Sequence, residues 1–217
     1  MIKRKINNNI KKPFRRYLRF VLPVLVFIFG LVFFFGCRWL RNHGTVVFPK
    51  KDVEVSVRED VFYSQKDARW AEEKLGNSRF AMRGSGCLVC CIAASLQLQG
   101  REEEDPGRLN QMLSHEGGYD EEGNLQWDKL SQIDGRIAVE RCKTVNAADI
   151  QESLASGRFP IVRVRINGVG SVHYVLIVGA KDGEYWCMDP LSESGKAVPL
   201  SAFGNRVYAV RYVDFVQ

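Results

Sequence analysis

The sequence predicts an α+β protein whose body follows one N-terminal transmembrane helix. A strongly apolar run without charged residues occupies residues 20–37. Short segments with helical spacing of apolar residues fill the middle of the chain, and from Pro160 onward the apolar residues alternate or run continuously, as in β-strands. The 217 residues are enough for one ordinary domain and an appendage. We therefore expect a helical part packed on a C-terminal antiparallel β-sheet.

The positive charge of the chain is concentrated at its N-terminus. Residues 1–19 hold eight Lys and Arg side chains and no acid, which exceeds the formal net charge of +6 for the whole chain. The remainder is therefore close to neutral, and it shows no basic stripe with interleaved aromatic residues. This composition argues against a body that binds nucleic acid.

The apolar run Phe20–Cys37 has the length expected of a membrane span. At ~1.5 Å per residue it crosses most of a ~30 Å hydrocarbon core. Pro23 falls near its start, where the missing N–H of proline matters least. Basic residues are more numerous before the run than after it, so the positive-inside rule places the N-terminus in the cytoplasm. The sequence thus predicts a single-pass protein of the cell membrane with an extracellular body.

Two other N-terminal signals have the same charge order. A cleaved signal peptide needs small residues at its cleavage site, and Phe34-Phe35-Gly36 is a poor match. The same segment followed by Cys37 faintly resembles a bacterial lipoprotein box, although the bulky Phe34 argues against lipidation. In either case the body lies outside, on or near the membrane.

The chain divides into four predicted segments. These are a basic cytoplasmic tail at residues 1–19, the transmembrane helix at 20–37, a linker or stalk at 38–60 and the folded domain at 61–217. Within the linker, Val53, Val55 and Val57 alternate with polar residues, a pattern that also allows a short strand.

The middle of the chain contains four predicted helices. The most apolar is Cys87–Leu98, which we expect to be buried on most sides. Shorter surface helices are expected at Leu109–Leu113, Leu125–Ile133 and Ala147–Leu154. Thr144 or Asn146 can cap the last of these helices, and Gly157 can end it.

The last third of the chain contains the predicted strands. They are Pro160–Ile166, Val172–Gly179, Tyr185–Pro190 and Val207–Val213. The dipeptide Asp182-Gly183 suits the positive φ angles of a type I′ turn, so the second and third strands should form a hairpin.

Cys87 is the chemically notable residue of this sequence. It lies between the glycine-rich turn Gly84-Ser85-Gly86 and an apolar helix, where unpaired N–H groups and the helix dipole favour a thiolate. The two glycines allow a tight or left-handed turn and leave the sulfur uncovered. Free cysteine is also a common core residue, and for Cys87 that alternative remains open. We expect Cys90 and Cys91 to fill the core.

Two residues of the predicted hairpin are candidate partners of Cys87. Pairing across the turn places residues whose numbers sum to about 365 opposite each other, so His173 faces the neighbourhood of Asp189 if a bulge shifts the register slightly. An imidazole with a sulfur at one nitrogen and a carboxylate at the other is the arrangement of a thiol nucleophile and its base. Each residue alone also has a structural explanation, as a core histidine and as a turn residue before Pro190.

The other cysteines allow two further interpretations. Cys87 and Cys90 have the C-x-x-C spacing of a zinc site, but no second closely spaced ligand pair accompanies them. An exported domain can also form a disulfide, for which Cys142 and Cys187 are candidates. We expect neither a metal nor a cofactor.

Five segments of the body, taken in order, resemble the motifs of a known protein family. They are Tyr63–Ala71, Gly86-Cys87, Gly157–Val162, His173–Gly179 and Asp189-Pro190. Together they resemble the C39-like cysteine peptidase family, a papain-like group, over about residues 60–215. The resemblance implies a papain-like α+β fold with Cys87 as nucleophile, His173 as general base and Asp189 as orienting carboxylate. Gln65 matches the family glutamine that donates to the oxyanion, a role suited to a neutral amide.

One position departs from the family pattern. A small residue usually follows the cysteine, whereas here Leu88 follows and could crowd the cleft or alter substrate choice. Relatives linked to transporters process leader peptides in the cytoplasm. The predicted orientation of this chain does not imply that role.

The sequence therefore predicts a membrane-anchored extracytoplasmic cysteine peptidase or amidase. Its partners would be a peptide or protein substrate and the membrane that holds the N-terminal helix. Two alternatives remain open: a catalytically inactive domain that binds peptides or cell-wall material, and a thiol transpeptidase or acyltransferase. Close approach of Cys87 to His173 would favour the enzyme, and a blocked or disulfide-bonded Cys87 would favour the binder.

Overall fold

The computed structural model describes the backbone of residues 11–41, 43–50, 53–101 and 104–216, and the side chains of the same residues except 11–20 and 37–41. The chain separates into two compact units, Met1–His43 and Gly44–Gln217. We describe each unit by itself.

The first unit contains the helix α1, Lys11–Arg41, with Pro23 inside it. Its described side chains, residues 21–36, are almost all exposed. Among the described residues, no helix meets the length and apolarity required to cross a membrane. The predicted transmembrane segment, residues 20–37, includes side chains that lie outside the described residues, and its membrane role is not confirmed.

The second unit contains five helices within the described residues. They are α2 (Met82–Ser85), α3 (Cys87–Leu98), α4 (Pro106–His115), α5 (Trp127–Ile133) and α6 (Ala147–Ala155). The predicted bounds of α3 are confirmed, and each of the other three predicted helices lies where the apolar spacing indicated. Asn146 caps α6 by accepting from Ala148 N–H at 3.0 Å, so it is the cap rather than Thr144.

The described part of this unit also contains eight strands. They are β1 (Thr45–Val46), β2 (Ile137–Arg141), β3 (Ile161–Arg165), β4 (Val172–Lys181), β5 (Glu184–Met188), β6 (Val198–Pro199), β7 (Arg206–Val207) and β8 (Ala209–Phe215). Single 3₁₀ turns lie at Ile166–Gly168 and Leu200–Phe203.

An antiparallel sheet with the order β2-β8-β3-β4-β5-β6 forms the centre of this unit, while β1 and β7 pair separately. Helix α3 packs on β3, β4 and β8 and also against α4. Eight of its twelve residues are buried, because the helix is enclosed between the sheet and the other helices. The result is an α+β architecture, as the sequence predicts.

The sequence prediction missed strand β2. It pairs with β8 from Ile137 opposite Phe215 to Arg141 opposite Arg211. Only Ile137 is buried in this strand, so the apolar alternation that identifies a strand is weak there. Pairing with a central strand stabilises β2, and that information is not local.

The segment before residue 61 differs from the expected linker. Val47 is buried, and Val55 exchanges backbone hydrogen bonds with Ala180 at 2.8 and 2.9 Å. Gly179 permits this approach, because a Cβ at that position would lie 2.5 Å from the Cα of Val57. Residues 44–60 outside the undescribed 51–52 therefore belong to the compact body, which begins near Gly44.

Candidate active site

A short turn connects α2 to α3 and presents Cys87 as the first residue of α3. Gly86 has φ −80°, so it is not left-handed as the glycine-rich sequence allowed. Its lack of a side chain matters for another reason: a Cβ would lie 2.6 Å from the carbonyl oxygen of Met82. Gly84 has open space around it. Glycine at 86 is thus required by close packing and not by backbone conformation.

The β4–β5 hairpin holds the two predicted partners of Cys87. Asp182 and Gly183 have φ of 56° and 75°, which fits the predicted turn. Next to the turn the paired residue numbers sum to 365, as in Lys181 opposite Glu184. A register shift between Ile177 and Gly179 lowers the sum by one along the rest of the pair. The small register shift expected from the sequence is therefore present as a β-bulge.

This register brings His173 and Asp189 together. His173 Nε2 lies 2.6 Å from Asp189 Oδ1, and the same carboxylate oxygen accepts the N–H of Leu191 at 2.9 Å. With Nε2 bonded to the carboxylate, the other ring nitrogen is left for Cys87, which lines the same cleft and is close enough to raise the pKa of His173. The carboxylate thereby fixes the orientation and tautomer of the ring.

His173 is buried, with 2% of its surface exposed. Burial by itself lowers the pKa of this imidazole, but the hydrogen bond to Asp189 and the interaction with nearby Cys87 outweigh it. The net effect raises the pKa of His173 from 6.5 to about 9. The surroundings therefore stabilise the protonated imidazole.

Gln65 is buried and contacts Pro190, the residue after Asp189. Its backbone N–H donates to Pro190 O at 2.9 Å, and its side-chain Nε2 donates to Arg83 O at 2.8 Å. The amide group has a second N–H on Nε2, which remains available to a bound ligand. Because Pro190 follows Asp189, one short segment positions both the carboxylate and the predicted oxyanion donor.

An open cleft of about 600 Å³ contains these groups. Gln65, Cys87 and His173 line it together with Leu88, and aromatic side chains supply much of its remaining wall: Phe80, Tyr119, Trp127 and Tyr174. Leu88 is half-buried and packs against the core, so it forms part of the wall next to Cys87.

The other cysteines are separate from this cleft. Cys90 and Cys91 are fully buried, and burial raises the pKa of both thiols. All five described cysteines are free, so Cys142 and Cys187 do not form the disulfide that the sequence allowed. The described residues contain no cluster of metal-ligating side chains.

The structure thus places three of the four predicted site residues, Gln65, Cys87 and His173, on one cleft, and the fourth, Asp189, is hydrogen-bonded to His173. A nucleophile, a proton acceptor and amide donors are the groups needed to attack a carbonyl carbon. The sequence prediction did not include Arg83 O and Leu191 N–H, because backbone groups that orient a side chain across the fold leave no signal in the sequence. It also did not include Tyr174 and Trp127, although Tyr174 directly follows His173.

No protein-family model matches the chain, and no curated protein matches it at a significant level. Among solved structures, the chain is similar to a Bacillus anthracis protein described as a candidate C39-like peptidase. The identity is 14%, the TM-score is 0.50, and the match covers 76% of this chain and 100% of the other. At this identity the similarity shows the fold alone, and it supports the C39-like architecture that the sequence motifs imply.

Proposed function

We propose that this protein is a thiol hydrolase of the cysteine peptidase type, which cleaves a peptide or amide bond. The observation that carries the proposal is that Cys87 and His173 line one open cleft while Asp189 holds the His173 ring by a 2.6 Å hydrogen bond. The fold of the solved C39-like structure supports it independently.

The first half of the proposed reaction forms an acyl-enzyme. His173 accepts the thiol proton of Cys87, and the sulfur attacks the carbonyl carbon of the substrate. Charge then develops on the carbonyl oxygen, where the backbone N–H of Cys87 and the amide of Gln65 donate hydrogen bonds. His173 returns the proton to the leaving nitrogen as the C–N bond breaks.

The second half releases the acyl group. His173 removes a proton from water, and the resulting hydroxide attacks the thioester carbon. The C–S bond breaks, the carboxylic acid product leaves, and the proton returns to the sulfur. Asp189 holds the imidazole in the tautomer that both halves need. An amine in place of water would give acyl transfer by the same steps, and product analysis by mass spectrometry distinguishes the two.

The free thiol of Cys87 and its position on the same cleft as His173 favour the enzyme over a catalytically inactive binding domain. Leu88 motivates the binding alternative, but it packs against the core beside the cysteine and Cys87 still lines the cleft.

Alkylation of the cysteines by iodoacetamide tests the proposal. Cys87 should react at pH 7 much faster than half-buried Cys142, and substitution His173→Ala should slow alkylation of Cys87 alone. Peptide mass spectrometry follows both residues in one sample, so Cys142 is the internal control. Equal labelling of Cys87 in wild type and His173→Ala would count heavily against a thiol–imidazole pair.

We further propose that the body is held outside the cytoplasm by the N-terminal segment. The support is in the sequence: the uncharged run 20–37 and the excess of basic residues before it. A phosphatase that is active only outside the cytoplasm, fused after residue 60, should be active, and a fusion after residue 15 should be inactive. The reverse pattern of phosphatase activity would show that the body faces the cytoplasm and would contradict the proposal.

A further inference from the structure

A cluster of arginines lies on the sheet beside the candidate active site. Arg163 on β3 is directly opposite Tyr174 on β4, and Arg211 on β8 is directly opposite Ile161, two residues before Arg163. Arg141 on β2 is in turn directly opposite Arg211. Opposed residues of antiparallel strands point to the same face. The three guanidinium groups therefore share one face of the sheet with Tyr174.

Two of these arginines have no acidic partner. Arg141 forms an ion pair with Asp128 at 3.1 Å. Among the described residues, neither Arg163 nor Arg211 lies within ion-pair distance of a carboxylate. Arg211 donates only to a backbone carbonyl of its own strand, that of Val210, at 2.7 Å. Burial lowers the pKa of Arg211, and the positive charges of Arg163 and Arg141 lower it further. The cluster thus holds uncompensated positive charge.

Both unpaired arginines contact side chains that line the cleft. Arg163 is paired with Tyr174 across β3 and β4; burial raises the pKa of Tyr174, and Arg163 is close enough to act against that rise. The guanidinium carbon of Arg211 lies 5.9 Å from the centre of the Trp127 ring. Tyr174 and Trp127 both line the cleft that contains Cys87. The positive charge is therefore next to the place where a substrate would lie.

Half-buried like charges repel one another and lose hydration, and an anion placed between them offsets both costs. The planar guanidinium group binds a carboxylate through two parallel N–H···O bonds, so two arginines can hold one carboxylate firmly. We propose that Arg163 and Arg211 bind a carboxylate of the substrate, from an acidic side chain or from a peptide C-terminus. This inference rests on the proposed function, because it assumes that a peptide occupies the cleft.

Peptide binding to the full-length Cys87→Ala chain tests this inference without requiring catalysis. The probes are fluorescent alanine heptapeptide amides with one glutamate scanned through every position, and the same set with glutamine. A further peptide with a free C-terminal carboxylate and no acidic side chain distinguishes the two sources of the carboxylate. At one or more positions glutamate, or else the free C-terminus, should bind about tenfold tighter than its neutral counterpart in fluorescence anisotropy.

Substitutions identify the residues responsible for that preference. Arg163→Gln and Arg211→Gln should each remove most of it, while Arg163→Lys and Arg211→Lys should retain part of it because the charge remains. Arg141→Gln is the matched control: it removes an equal charge from the same patch, but Asp128 already neutralises that charge. Melting temperatures of all variants check folding.

Two outcomes overturn the inference: neither a glutamate at any position nor the free C-terminus binds more tightly than its neutral counterpart, or the preference persists in both glutamine variants. Neither outcome affects the proposed function if Cys87 alkylation still depends on His173. Conversely, the binding preference can be present even if that dependence is absent, so the two proposals fail separately.

Discussion

The two halves of the candidate site are held in different ways. His173 and Asp189 are 16 residues apart and are positioned by one hairpin, whose turn and bulge set their register. Gln65 is positioned by a distant segment, since Pro190 O accepts from both Gln65 N–H and the hydroxyl of Ser64, which is 126 residues from Pro190. Cys87 begins α3, which packs on β3, β4, β8 and α4. The hairpin half depends on local chain geometry, and the other half depends on tertiary packing. Substitutions in the two halves should therefore have different consequences.

The largest loss of activity is expected from a substitution in the β4–β5 hairpin half of the site. Asp189→Ala removes the 2.6 Å hydrogen bond that orients His173, so hydrolytic kcat/KM should fall about 10²-fold or more. The control is Asp182→Ala, which changes an aspartate at the turn end of the same hairpin and should leave kcat/KM within about twofold. Until a substrate is known, the alkylation rate of Cys87 is the measurement. Equal rates in the two variants would contradict the role assigned to Asp189.

The next effect is a pH dependence of stability. The folded-state pKa of His173, about 9, lies above its ordinary value of 6.5, so protonated His173 stabilises the folded state. This contribution is fully present below pH 6.5 and is lost as pH rises through 9. The free energy of unfolding of wild type relative to His173→Gln should therefore fall by on the order of 3 kcal/mol over this range. Urea titrations at each pH measure it, and a constant difference would show that the imidazole is not held protonated.

Two glycines just before Cys87, Gly84 and Gly86, test the half of the site that holds the cysteine. Gly86→Ala places a methyl group 2.6 Å from Met82 O, so we expect a loss of about 2 kcal/mol in stability and a displaced Cys87. Gly84→Ala meets open space and should be neutral or slightly stabilising, because alanine favours the helix α2. Denaturant unfolding and Cys87 alkylation measure both effects. If Gly86→Ala behaves like Gly84→Ala, the close approach to Met82 does not constrain this turn.

The smallest effect should come from the hairpin turn itself. Gly183 has φ +75° and no neighbouring atom within 4 Å of a Cβ, so Gly183→Ala costs only the backbone strain, about 1 kcal/mol. The strands on either side keep their register, and the alkylation rate of Cys87 should change by less than about twofold. A large loss of reactivity would mean that strain at Gly183 is transmitted along the strands to His173.

Much of the fold follows from patterns that are local in sequence. The apolar run of α3, the alternation in β3 and the Asp-Gly turn each report a structure that a few neighbouring residues stabilise. Strand β2 and the segment 53–58 were not predicted as parts of the body, because their stabilising partners are β8 and Ala180. Patterns within a single segment do not contain the partner that completes a sheet.

The sequence by itself singled out Cys87 by its place at the start of a helix and put His173 near Asp189 by turn chemistry and strand register, whereas Gln65 followed from the resemblance to the C39-like family. Only the tertiary structure decided that Gly86 serves packing rather than a left-handed turn. It also decided that Cys142 and Cys187 form no disulfide. Among the described residues, Arg163 and Arg211 lie on one face of the sheet without an acidic partner. The cysteine and arginine positions depend on segments distant in sequence, and the close approach of Gly86 to Met82 depends on how α2 turns into α3; in each case packing and desolvation determine which contacts are favourable.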